Sequence, residues 1–264
     1  MAGGVGALVG AAVAGPRNGR WESPDEFQPH SLPLVVLGTF ILWFGWYGFN
    51  CGSTLAMEDV GTGQKAAMVA MNTTIAAATG GLVVFLLRFA QLKKYDIGGF
   101  CNGILAGLVS ITAPCGNVEC GSAFGLAIVG GLVYEGASTL MKKLKIDDPI
   151  DAFAVHGACG AWGTLAAVLF DMGAGFDQYN AWSGFACNMD DAGNCAKGAW
   201  MGGLTINLAG IGAIAAWVAF WSALVFVPLK AAKMLRASDD LQEEGFDARK
   251  HSPPKAYVVT DTKA

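Results

Sequence analysis

The side chain with the widest chemical reach in this chain is the imidazole of His156, in the run D-D-P-I-D-A-F-A-V-H-G-A-C-G. Asp148 reads as a helix N-cap with Pro149 at the first helical position, so a helix is expected to open there. At ~1.5 Å per residue, His156 then stands roughly 10 Å inside that helix. Two readings fit: a structural histidine bonded to a backbone carbonyl, or a titratable group lining a pore. Asp151 opens the same helix, where a carboxylate suits the N-terminal dipole, and its spacing from His156 puts the two on different faces. A second pattern is the aromatic run V-V-L-G-T-F-I-L-W-F-G-W-Y-G-F-N-C-G-S, in which Leu42, Trp46, Phe49 and Ser53 follow i, i+4, i+7, i+11 spacing and form one helical stripe. That stripe is either apolar bulk facing lipid or core, or the wall of a narrow conduit whose aromatic and hydroxyl mouth holds a small cation. Asn72, Thr73, Thr74 and Thr112 lie in or at the end of apolar runs and can bond their own helix or a neighbour.

Other chemistry is thin. His30 and His251 have no metal-ligand spacing to any partner. There is no phosphate-binding loop, nucleophile elbow or H-E-x-x-H pair. The carboxylates cluster only at Asp147-Asp148-Asp151, read as a helix cap, and at Asp239-Asp240 with Glu243-Glu244, read as solvated. Glu135 lies near the end of an apolar run, within reach of an interface. Nothing here suggests an enzyme, a metal site or a cofactor.

The elements that must position these residues follow from composition. Of 264 residues, 53% are hydrophobic and 14% charged, too little charge to cover a soluble surface of this size. High hydrophobicity with a net charge of −4 excludes disorder, and the lack of a basic excess excludes a nucleic-acid binder. Seven cysteines are too few for a disulfide scaffold. An all-α, polytopic membrane bundle remains. Its spans are read at Pro33–Ala56, Ala66–Arg88, Ile97–Ala113, Glu119–Leu140, Ala152–Phe170 and Gly198–Leu229, the last too long for a straight crossing. The opening M-A-G-G-V-G-A-L-V-G-A-A-V-A-G is short for a span and lacks a basic start, so it reads as the end of a helix whose first half is missing.

Eleven basic residues (Arg17, Arg20, Arg88, Lys93, Lys94, Lys142, Lys143, Lys145, Lys230, Lys233, Arg236) fall in alternate connections, against Lys65 and Lys197 in the others. The positive-inside rule then sets the tail in the cytoplasm. On the opposite side, Cys187 with Cys195 and Cys115 with Cys120 are either disulfide partners or isolated small residues. Gly99-Gly103-Gly107, Gly121-Gly125 and Gly157-Ala161 read as small-xxx-small packing ridges.

L-G-T-F-I-L-W-F-G-W-Y-G-F-N-C-G-S and D-D-P-I-D-A-F-A-V-H-G-A-C-G both resemble signature segments of the ammonium transporter (Amt/Mep) family. M-N-T-T-I-A-A-A-T-G-G, S-I-T-A-P-C-G-N-V-E-C-G and the tail L-R-A-S-D-D-L-Q-E-E-G-F-D-A-R-K-H-S-P-P-K-A-Y are similar to family segments in the same order. D-A-F-A-V-H-G favours Amt/Mep over the related Rh branch. The resemblance implies inverted halves of five helices each, a long tilted last helix, a homotrimer and one pore per subunit between the halves. It implies His156 as the second of two pore histidines in a proton relay, Phe49 as a gate phenylalanine, and Trp46, Leu42 and Thr112 on the pore wall. It further implies Ser53 as the recruitment hydroxyl and Asp151 as a structural carboxylate.

In the implied mechanism, ammonium binds at the mouth and is deprotonated, and ammonia crosses the apolar constriction, which avoids carrying an ion through a dry pore. Potassium, with no proton to give up, is rejected. The chain aligns with the second half of the family, so residues 1–232 are expected to be a partial transmembrane region and 233–264 a cytoplasmic regulatory tail. The expected partners are ammonium or ammonia, the bilayer of the plasma membrane, two further copies and a PII-type regulator at the tail. Arg249 stands where many eukaryotic relatives carry a threonine. The competing readings are a non-transporting subunit that assembles with full-length transporters, and an ammonium sensor.

Overall fold

A computed structural model describes residues 1–170 and 199–250. The described elements are helical: α1 (Ala2–Ala14), a 3-10 turn (Pro24–Phe27), α2 (Leu32–Gly52), α3 (Val60–Leu92), α4 (Ile97–Thr112), α5 (Cys120–Lys143), α6 (Phe153–Leu169), α7 (Ala199–Ala231), α8 (Asp239–Glu244) and α9 (Phe246–Lys250). Four of them, α2, α3, α5 and most of α7, are long and apolar enough to cross a membrane. α3 starts before its apolar run because Asp59 and Thr62 form a reciprocal capping box, and it stops at Lys93, whose φ of 55° is left-handed. At 33 residues each, α3 and α7 are roughly 50 Å long, well beyond a hydrocarbon core of about 30 Å.

α3, α4 and α5 form the core, joined where glycine replaces a side chain. A Cβ on Gly107 would collide with the carbonyl of Ala76, and one on Gly103 would stand 2.6 Å from the carbonyl oxygen of Gly80. The ridge read at Gly103 and Gly107 is therefore an interface. At the ridge read at Gly121 and Gly125 the contact is looser: among the described residues an added Cβ on Gly121 would meet nothing within 4 Å, and one on Gly125 only the Phe170 ring at 3.9 Å. Close packing on α5 falls instead at Gly130, against Ser110, and at Gly131, against Val83. Phe40 and Phe44 of α2 and Trp217 and Phe220 of α7 are exposed.

The polar ends of several helices gather on one side. Asp147, buried, accepts from Arg17 N (3.0 Å), Nε (2.8 Å) and Nη2 (2.9 Å) and from Arg20 Nε (3.2 Å). The Phe27 ring lies under both guanidiniums, at 4.9 and 5.6 Å. Burial pushes the Asp147 carboxyl up, but the Arg17 hydrogen bonds and the charges of Arg17 and Arg20 outweigh it and hold the group below its ordinary value. The segment after α7 closes on the same loop: Arg236 donates to the Pro16 carbonyl and to Asn18 Oδ1 (2.6 Å), and Asn18 Nδ2 donates to Asp239 (2.8 Å). Cys115 and Cys120 are separate thiols, and Cys187 and Cys195 lie outside the described residues.

Candidate functional site

α6 does not begin where the Asp148-Pro149 pair suggests. Pro149 and Ile150 form a turn, Asp151 takes a left-handed φ of 54°, and regular helix starts only afterwards. Its first stretch, Phe153–Ala158, is π-helical, with Cys159 N donating to Ala154 O. Asp148 does cap, but across this wider turn: its Oδ2 accepts from Phe153 N at 2.7 Å. Asp151, by contrast, does not cap the helix with its side chain. Its carboxylate accepts from three side chains, Tyr134 Oη (2.7 Å), Ser138 Oγ (3.1 Å) and Asn102 Nδ2 (3.5 Å). The physical reason is tertiary: a buried hydroxyl and amide need an acceptor, and the turn bends to supply one.

His156 sits in the middle of the π segment, and α1 is pressed against it. A Cβ on Gly4 would collide with the backbone of Gly157. The imidazole lines a cavity of about 550 Å³. The far wall is α2, with Ile41, Leu42, Gly45, Trp46 and Phe49; Val109, Thr112 and Ala113 close one side, and Met1, Gly160 and Thr164 another. Of the residues expected to act together, His156, Leu42, Trp46, Phe49 and Thr112 meet at this cavity. Ser53 and Asp151 do not line it.

The wall is fixed by few polar bonds. Thr112 Oγ1 donates to Leu108 O (2.8 Å) and accepts from Trp46 Nε1 (2.9 Å), which locks the indole against the cavity. The Trp46 and Phe49 rings are tilted at 59° with centroids 6.3 Å apart. Ser53, exposed at the end of α2, donates its proton to Phe49 O at 2.6 Å. Only its lone pairs then face outward. Gly160 and Thr164 were missed in sequence although they follow His156 at i+4 and i+8, the same face of one helix. Tyr134, Asn102 and Arg88 were missed because nothing in their spacing connects them to Asp151. Glu135, read as reaching an interface, is paired with Arg88.

The Ammonium Transporter Family matches residues 1–257. Ammonium transporter 1 member 2 of Oryza sativa subsp. japonica is 36% identical over 279 residues, covering 100% of this chain and 54% of the relative. Ammonium transporter 1 member 1 of Arabidopsis thaliana is 36% identical over 275 residues, covering 99% and 53%. Among solved structures, the Sensor Amt Protein superposes with a TM-score of 0.75 at 32% identity, covering 94% of this chain and 57% of that one. Saccharomyces cerevisiae Mep2 gives 0.70 at 33% identity, covering 88% and 51%. The chain thus spans about half the length of the curated relatives it matches.

Proposed function

The chain belongs to the ammonium transporter family and is a multi-pass membrane protein, and we propose that it supplies one wall of an ammonium-conducting pore. The observation that carries the reading is the cavity that joins His156 to the α2 stripe. An ammonium ion faces a large desolvation cost on entering such an apolar space. Ring faces at Phe49 and Trp46 and the outward lone pairs of Ser53 hold the cation at the mouth. Ammonia, being neutral, crosses past Leu42 and Thr112, and the His156 imidazole carries the proton separately. The chain does no covalent chemistry, and potassium is rejected because it cannot split.

The whole protein acts as a homotrimer in the plasma membrane, with residues 1–232 its membrane region. Residues 233–264 form a cytoplasmic tail that a PII-type regulator meets. The test is reconstitution of the protein, as its cells make it, into liposomes whose transmembrane current is recorded. An ammonium pulse should drive an inward positive current larger than in protein-free vesicles, because ammonia and its proton both cross, and Phe49→Ala and His156→Ala should lower it. Identical traces for the wild type and empty vesicles would overturn the reading. A sensor is the second reading, raised only by the likeness in fold to the Sensor Amt Protein. It predicts signalling that survives loss of flux.

A further inference from the structure

The turn that launches α6 is strained, and side chains of two other helices hold it, one of them aimed by a third. Asp151 is a non-glycine residue in the left-handed region, a backbone state that persists only where its surroundings over-determine it. Tyr134 supplies the closest bond to its carboxylate, at 2.7 Å. Tyr134 is fully buried on α5, and its oxygen accepts from Asn102 Nδ2 of α4 at 3.0 Å and from Arg88 Nη2 of α3 at 3.1 Å. A phenol has one proton to give, and these two donors leave it aimed at Asp151. Arg88 is in turn fixed by Asp96 at 2.7 Å and by Glu135. Tyr134 does not line the cavity.

We infer that Tyr134 is the positioning residue of the His156 site: its hydroxyl, aimed by Arg88 and Asn102, pins Asp151 in the left-handed turn and so sets the rotation at which the π segment presents the imidazole. Only the flux consequence rests on the reading of the cavity as a conduction path. A phenylalanine at this position keeps the ring packed and deletes the link.

The protein contains three histidines, so ¹⁵N-histidine labelling in lipid nanodiscs gives a readable imidazole spectrum. Tyr134→Phe is expected to move the His156 resonances and leave those of His30 in place, and to lower the ammonium-driven current by up to about 100-fold, the cost of a misplacement of about 1 Å in a reacting group. Val133→Ala, at the half-buried neighbour on the same helix, removes packing without touching the link. Unmoved His156 resonances in a folded Tyr134→Phe protein would overturn the inference, as would an equal movement in Val133→Ala. If Tyr134→Phe fails to fold, Ser138→Ala removes a different donor from Asp151 and must move the same resonances. Absence of flux in the wild type would defeat the transport reading alone, since the spectra decide the positioning role without it.

Discussion

Replacing Asp147 by alanine removes the acceptor of four hydrogen bonds from Arg17 and Arg20. Losing one member of a fully buried ion pair costs about 3–5 kcal/mol. Here the Asp147 side chain is 3% exposed but Arg17 is 41% and Arg20 19% exposed, so the released guanidiniums recover water. The expected loss is therefore about 1–3 kcal/mol. Titration with denaturing detergent in mixed micelles, followed by tryptophan fluorescence, reads it as a shift in midpoint at constant slope. Asp147→Asn should lose less than alanine, because the amide oxygen still accepts.

The pH dependence of that loss has a definite sign. The folded carboxyl titrates below its ordinary value of 3.8, so its stabilisation is complete above that value and disappears as pH falls through the lower, folded one. Wild type and Asp147→Asn should therefore differ most at neutral pH and converge in strong acid. A change below about 0.5 kcal/mol for Asp147→Ala, the usual scale of a surface substitution, would refute the reasoning. So would a difference between the two proteins that persists in acid.

Thr112→Val should strand the Trp46 indole N–H, lowering stability by about 1–3 kcal/mol and altering ammonium flux, whereas Thr112→Ser should restore both; the same titration and the liposome assay decide. Gly107→Ala should destabilise by about 1–3 kcal/mol or block folding, because the added carbon meets the Ala76 carbonyl. Gly38→Ala, with open space around it, should be neutral, which thermal unfolding of both variants will show. His156→Asn should leave the folded protein's circular dichroism unchanged and abolish the proton component of transport, measured as current across a planar bilayer.

Four of the six expected spans, those carried by α2, α3, α5 and α7, were legible because apolar length is written directly into the chain, whereas α4 and α6 are apolar but shorter. The stripe of Leu42, Trp46 and Phe49 was legible for the same reason, since helical spacing alone puts those side chains on one face. The start of α6 was not. Asp148 and Pro149 carry the local chemistry of a cap, but Tyr134, Ser138 and Asn102 on other helices recruit Asp151 and force the chain through a left-handed turn first. A local signal lost to a tertiary one. The glycine ridges show the same limit: spacing marks where backbones are able to approach, yet among the described residues Gly103 and Gly107 meet α3 backbone whereas an added Cβ on Gly121 would meet nothing.

The π segment has a consequence for the whole length of α6. A turn closed from i to i+5 holds one residue more than an ordinary turn, which is how a helix absorbs a single insertion without unwinding. Everything from Cys159 on is thus turned by about 100°, one residue's rotation, from where an unbroken α-helix starting after Asp151 would place it. Deleting one residue between Phe153 and Ala158 would iron the segment into plain α-helix. Gly160 and Thr164 would still share a face with the histidine, but the helix beyond the deletion would be turned relative to Asp151 and the bonds that anchor it.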